Sequence, residues 1–64
     1  MIGDMTDYRE GGYEVDHEGK FWNCYVYKKT GENEYELVRL IRFMSEPTEE
    51  RIHESIDNEV YGEW

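Results

Sequence analysis

Apolar and polar residues alternate from Tyr13 to Asp16, as in a short half-buried strand. Phe21 to Lys29 then gathers Phe21, Trp22, Tyr25, Val26 and Tyr27, the residue types that fit a pleated surface. Thr30-Gly31-Glu32-Asn33 breaks the run, and Tyr35 to Met44 resumes it with Leu37, Val38, Leu40, Ile41 and Phe43. Beyond Met44 the period changes. Ile52, Ile56 and Val60 recur at i, i+4 and i+8, one narrow apolar stripe on a helix. The pattern predicts an α+β fold, a three-stranded antiparallel β-meander with one C-terminal α-helix packed on one face (β-β-β-α). Residues 1–11 have no apolar period and run into Gly11-Gly12, which predicts a mobile N-terminal arm before a single small domain over residues 12–64.

The turns carry register. Asp16-His17-Glu18-Gly19-Lys20 fits a three-residue loop with Gly in the left-handed position, setting Asp16 opposite Lys20 and Val15 opposite Phe21. In the second hairpin a five-residue loop sets Lys28 opposite Glu34 and Tyr25 opposite Leu37, whereas a four-residue loop brings Trp22 opposite Ile41. The first gathers Val15, Phe21, Tyr25, Tyr27, Leu37, Ile41 and Phe43 on one face. Ser45-Glu46-Pro47 reads as the helix start, with Ser as cap and Pro in the first turn, and Gly62 as its end.

This sheet offers more apolar surface than one narrow helix covers. The second face carries Trp22, Cys24, Val26, Val38, Leu40 and Met44. Burial is worth roughly 25 cal/mol per Å², so a small domain has reason to cover that face with its own arm, with Trp64, with a second copy or with a partner. Trp22, Val26, Val38 and Leu40 are the candidate apolar contact residues for a partner or a self-interface.

Charge narrows the partner. The chain has 64 residues and a formal charge of −9. The acids cluster at the two ends: residues 1–18 carry net −5, residues 45–64 net −6, and residues 19–29 net +3. Such a charge repels nucleic acid and anionic membranes and attracts basic protein surfaces. Ten aromatic residues argue against a disordered acidic tail. No apolar run approaches a membrane span, residues 1–4 show no signal-peptide pattern, and the single Cys fits a reducing compartment. Together they predict a cytoplasmic protein.

Catalytic chemistry finds little support. His53-Glu54-x-x-Asp57 lacks the second His of a zinc-protease helix. Glu49, His53 and Asp57 share a face that reads as solvated acid carrying one His. His17 reads as a turn residue between two carboxylates, and Cys24 as a core or interface thiol without a neighbouring base. No phosphate loop or Cys/His zinc spacing occurs. Phe21, Tyr25 and Tyr27 beside Lys20, Lys28 and Lys29 read as sheet packing rather than a base-stacking surface, because the acidic flanks oppose nucleic acid. The expectation is no enzyme, no metal and no cofactor.

The helix is the sharper feature. Glu46, Glu50 and Glu54 follow at i+4, where like charges cost a few tenths of a kcal/mol per pair. Solubility is the bland account. The alternative is a row of carboxylates, Glu46, Glu49, Glu50, Glu54 and Asp57, presented to a basic groove as a nucleic-acid backbone presents phosphates. In size and charge, though in no motif, the chain is similar to the small acidic inhibitors made by phages and mobile elements. That likeness implies an inhibitor or modulator of a nucleic-acid-handling protein. The alternative is a self-associating assembly module whose open sheet face forms a homodimer.

Overall fold

A computed structural model describes residues 5–62. It is α+β, with one antiparallel sheet and one C-terminal helix. Four strands build the sheet in the spatial order of the chain: β1 (Thr6–Tyr8), β2 (Gly11–Glu18), β3 (Phe21–Gly31) and β4 (Glu34–Phe43), followed by α1 (Glu49–Glu59). The expected meander therefore has one strand more. β1 pairs with β2 through Thr6↔Tyr13 and Tyr8↔Gly11. The expectation of a mobile arm over residues 1–11 is corrected from Thr6 onward. Three residues are too few to show a period, and the pairing is made by Gly11 and Gly12, which let backbones approach. The first four residues of that arm, and any folding back of Trp64, lie outside the described residues.

Both predicted hairpin registers are corrected. β2 pairs β3 with Glu18↔Phe21, His17↔Trp22 and Val15↔Cys24. Gly19 has φ +62° and is the first residue of a two-residue turn, where a type II′ turn takes glycine. The predicted loop put this Gly last and set the register three positions off along β3. β3 and β4 are joined by Glu32 and Asn33 alone, with Gly31↔Glu34 closing the ladder. The pairs are then Tyr25↔Leu40, Cys24↔Ile41 and Trp22↔Phe43, with register shifts between Val26 and Tyr27 and between Lys29 and Gly31. Shifts of this kind leave no trace in an alternation count.

A one-residue slip exchanges the two faces of a strand, so the core is also corrected. It comprises Tyr13, Cys24, Val26, Ile41 and Phe43 from the sheet and Ile52, Ile56 and Tyr61 from the helical segment, with Tyr8, Trp22 and Val60 against it. Cys24 and Val26, grouped on the second face, lie under the helix with Ile41 and Phe43. Phe21, Tyr25, Tyr27 and Leu37, grouped with Ile41 and Phe43, point the other way.

The helix begins later than expected. Thr48, not Ser45, is the N-cap, and its hydroxyl accepts from the Arg51 N–H at 3.2 Å. Pro47 thus precedes the cap. Glu49 and Glu50 occupy the first turn, where the dipole favours acids, and the last turn has no base. α1 ends at Glu59 with Val60 as C-cap. Gly62 lies just beyond, against the Asp57 and Asn58 carbonyls.

Candidate functional site

Alternation along β2 decides the site. Tyr13 is buried beneath the helix, and His17 stacks flat on Trp22 with ring centroids 4.1 Å apart. The alternate residues Glu14, Asp16 and Glu18 therefore line the opposite face in one row. Next to them β3 places Phe21, Asn23, Tyr25 and Tyr27, and β4 places Leu37, Leu40 and Arg42. The Tyr27 hydroxyl is held above its ordinary pKa by burial and then by the charge of Glu14 and the neighbouring Tyr25, which agrees with a shared face. Arg42 lies over the Phe21 ring at 4.8 Å.

This face is open. Leu37, Val38 and Leu40 are 51%, 40% and 48% exposed, a strip of aliphatic surface along the edge strand. One polar group interrupts the apolar middle. Asn23 is only 5% exposed, its Nδ2 makes a long 3.5 Å contact to the Glu18 carboxylate, and its Oδ1 is buried without a hydrogen-bond partner. Buried acceptors without partners are uncommon.

The residues expected to form a site separate into different places. Leu40 is on the open face, and Val38 is exposed at the register shift on the same edge strand. Val26 is 1% exposed in the core, and Trp22 packs against that core on the helix side, so neither joins them. Glu46 precedes the helix, in the segment between β4 and α1. Glu49, Glu50 and Glu54 are exposed on α1. Asp57 is a structural anchor instead: it accepts from the Tyr8 hydroxyl at 2.8 Å and pairs with Arg9 at 3.0 Å. The acidic helix row is thereby reduced to Glu49, Glu50 and Glu54. The row on β2 was missed, though its period of two is plain in Glu14-Val15-Asp16-His17-Glu18.

The remaining candidate groups are absorbed by packing. His53 stacks on Tyr8 at 4.1 Å between centroids and lies 3.4 Å from the Tyr13 hydroxyl, an arrangement that ties α1 to β1 and β2. Burial and then the bond to Asp57 raise the Tyr8 hydroxyl above its ordinary pKa. Lys28 and Arg9 lie over the Tyr61 ring at 5.3 and 5.0 Å, and Arg39 pairs with Glu59 at 2.7 Å. Among the described residues no three or more His, Cys, Asp or Glu side chains are grouped to hold a metal ion, and no helix is long and apolar enough to cross a membrane.

Cys24 is fully buried, and burial pushes its thiol up to about 11. A thiol held protonated is a poor nucleophile at neutral pH. The raised value also links stability to pH. The unfolded thiol ionises near its ordinary value while the folded one stays neutral, so its contribution is complete below about pH 8.5 and is lost as pH rises toward 11. Urea titrations at pH 8 and pH 11 are expected to show the stability difference between the native chain and Cys24→Ala shrinking by about 2–3 kcal/mol. An unchanged difference would mean that the thiol is not buried.

Compared with protein-family models, with curated proteins and with solved structures, the chain matches none of them.

Proposed function

We propose that this chain is a small acidic protein-binding module that docks a basic protein surface through the open face of its sheet. One observation carries the reading: the carboxylates of Glu14, Asp16 and Glu18 run beside the half-buried aromatic residues of β3 and, beyond them, the exposed aliphatic strip of β4, on the face that the helix leaves free. Alternate strand residues stand about 6.8 Å apart, so the row spans about 14 Å. Duplex DNA presents roughly eight charges over that length. Three carboxylates therefore imitate a nucleic-acid backbone only in part. They steer and orient, while affinity comes from Tyr25, Leu37, Val38 and Leu40. A nucleic-acid-handling protein is the partner class we favour, because its working surface is basic. Inhibition follows if that surface is occluded. The exposed Glu50 and Glu54 on α1 then serve solubility.

The immobilised protein, offered an extract of the cells that make it, is expected to retain basic proteins that raised salt releases. Glu14→Lys with Asp16→Lys should lower affinity for them by about 100-fold or more, with the melting temperature little changed. Glu50→Lys with Glu54→Lys should retain them. The opposite pattern, or retention that salt does not alter, overturns the reading.

A second reading is a homodimer. The exposed Leu37, Val38 and Leu40 belong to an edge strand of ten residues, and such edges pair readily. Light scattering at rising concentration, with Leu40→Lys as control, separates the two: a mass that stays at 7.8 kDa removes the dimer.

A further inference from the structure

The groove lined by Asp7, Arg9, Glu10, Lys29 and Tyr35 mixes both charges, and the Tyr8–His53–Asp57 cluster is spent on holding the helix. The acidic row differs because a second, independent feature lies within it. Asn23 faces Asp16 across the ladder, and its amide nitrogen reaches toward Glu18, yet its carbonyl oxygen is buried and unbonded. On either side along β3 stand Phe21 and Tyr25, and Arg42 is the cross-strand neighbour on β4.

We propose that this spot receives an arginine side chain of the bound partner. The inference rests on the reading above and names the partner group. Glu14, Asp16, Glu18 and the Asn23 Oδ1 are all acceptors, so the complementary group must be a donor, and the carboxylates require it to be cationic. A guanidinium meets both needs and adds a third. Its plane stacks on an aromatic ring while its edge donates several hydrogen bonds in a fixed fork. The molecule already displays this contact in the guanidinium of Arg42 over Phe21. A lysine supplies charge alone. The Phe21 ring is already taken by Arg42, so the ring left for an incoming guanidinium is that of Tyr25. An unpaired buried acceptor costs the free protein stability, and a donor brought by the partner would satisfy it.

Two probes test this: a blocked Gly-Arg-Gly-Arg-Gly peptide and its lysine counterpart, each titrated into the labelled full chain and followed by amide NMR. The arginine peptide is expected to bind about tenfold more tightly. It should shift the backbone signals of Glu14 to Glu18 and, as the diagnostic signal, the side-chain amide of Asn23. Asn23→Val suits a strand and removes the unbonded acceptor, so its melting temperature should not fall, while the preference for arginine disappears. Asn23→Thr serves the same purpose if the valine variant fails to fold. Equal binding of the two peptides, an unmoved Asn23 side-chain amide, or a preference that survives the substitution overturns the proposal. If that happens while Glu14→Lys with Asp16→Lys still abolishes capture of basic proteins, only the arginine site falls. If the reversed charges leave capture intact, the docking face falls with it.

Discussion

Gly11→Ala is expected to leave the protein unfolded at 25 °C. A Cβ added at Gly11 would lie 1.9 Å from the Tyr27 carbonyl oxygen and 2.7 Å from the Lys28 Cα. Both are backbone atoms of the adjacent strand, so no side-chain rotation relieves the overlap. Strands β2 and β3 would have to separate at Gly11↔Lys28, and the Tyr8↔Gly11 pairing of β1 would go with them. Overpacking a core with one extra group costs about 1–3 kcal/mol when neighbours can shift. Here they cannot, and a chain of this size has only about 3–10 kcal/mol to lose. Circular dichroism of the purified variant checks the result. Gly19→Ala is the control: it also replaces glycine in a hairpin, at φ +62°, but nothing lies within 4 Å of its new methyl. It should cost about 1–2 kcal/mol and remain folded. If the two variants melt alike, the close approach of β2 to β3 is wrong.

That glycine also marks where the sequence stops being legible. Strands β2, β3 and β4 and the helix are written in period and composition, because each must bury one side. Gly11-Gly12 reads equally well as the end of a loose arm or as a place where backbones meet. Only the presence of a third chain segment decides, and β1, with Thr6 and Asp7 exposed, offers no apolar pattern to announce it. Register was harder still. The choice between loops of two to five residues turns on a fraction of a kcal/mol in turn geometry, yet it decides which face of β3 meets the helix. Val26 and Trp22 were misassigned for that reason alone.

The site suffered the same dependence. Val38 and Leu40 are exposed on the edge strand, Val38 at the register shift itself. The carboxylates of β2 needed no register to be found, only alternation about the buried Tyr13. Glu46, Glu50 and Glu54 make an equally long series at helical spacing, and sequence alone does not rank the two. Asn23 carries no signal in sequence. Its significance comes from a carbonyl oxygen that folding buries and leaves unbonded.

Ile56→Ala should be the most damaging change in the helix. The side chain is 1% exposed and lies in the middle of the stripe that begins at Ile52, so its loss removes burial and leaves a cavity, about 2–5 kcal/mol together. Beside this stripe, the Tyr8–His53–Asp57 contacts are the main tie on α1. An isolated helix of 11 residues is marginal in water. Its last turn has no base to satisfy the dipole. Its ion pairs to the sheet, Arg9–Asp57 and Arg39–Glu59, are well exposed and contribute about 0–1 kcal/mol each. The expected result is therefore loss of the helical signal with the sheet melting in the same transition, because Cys24 and Val26 lose their cover as the helix leaves. Glu50→Ala, on the exposed side of the same helix, should stay within about 0.5 kcal/mol of the native chain. Thermal melts followed in the far ultraviolet separate the two. An Ile56→Ala variant as stable as Glu50→Ala would mean that the helix does not lie on the Cys24–Val26 face, and the opposite face, with its acidic row, would no longer be the open one.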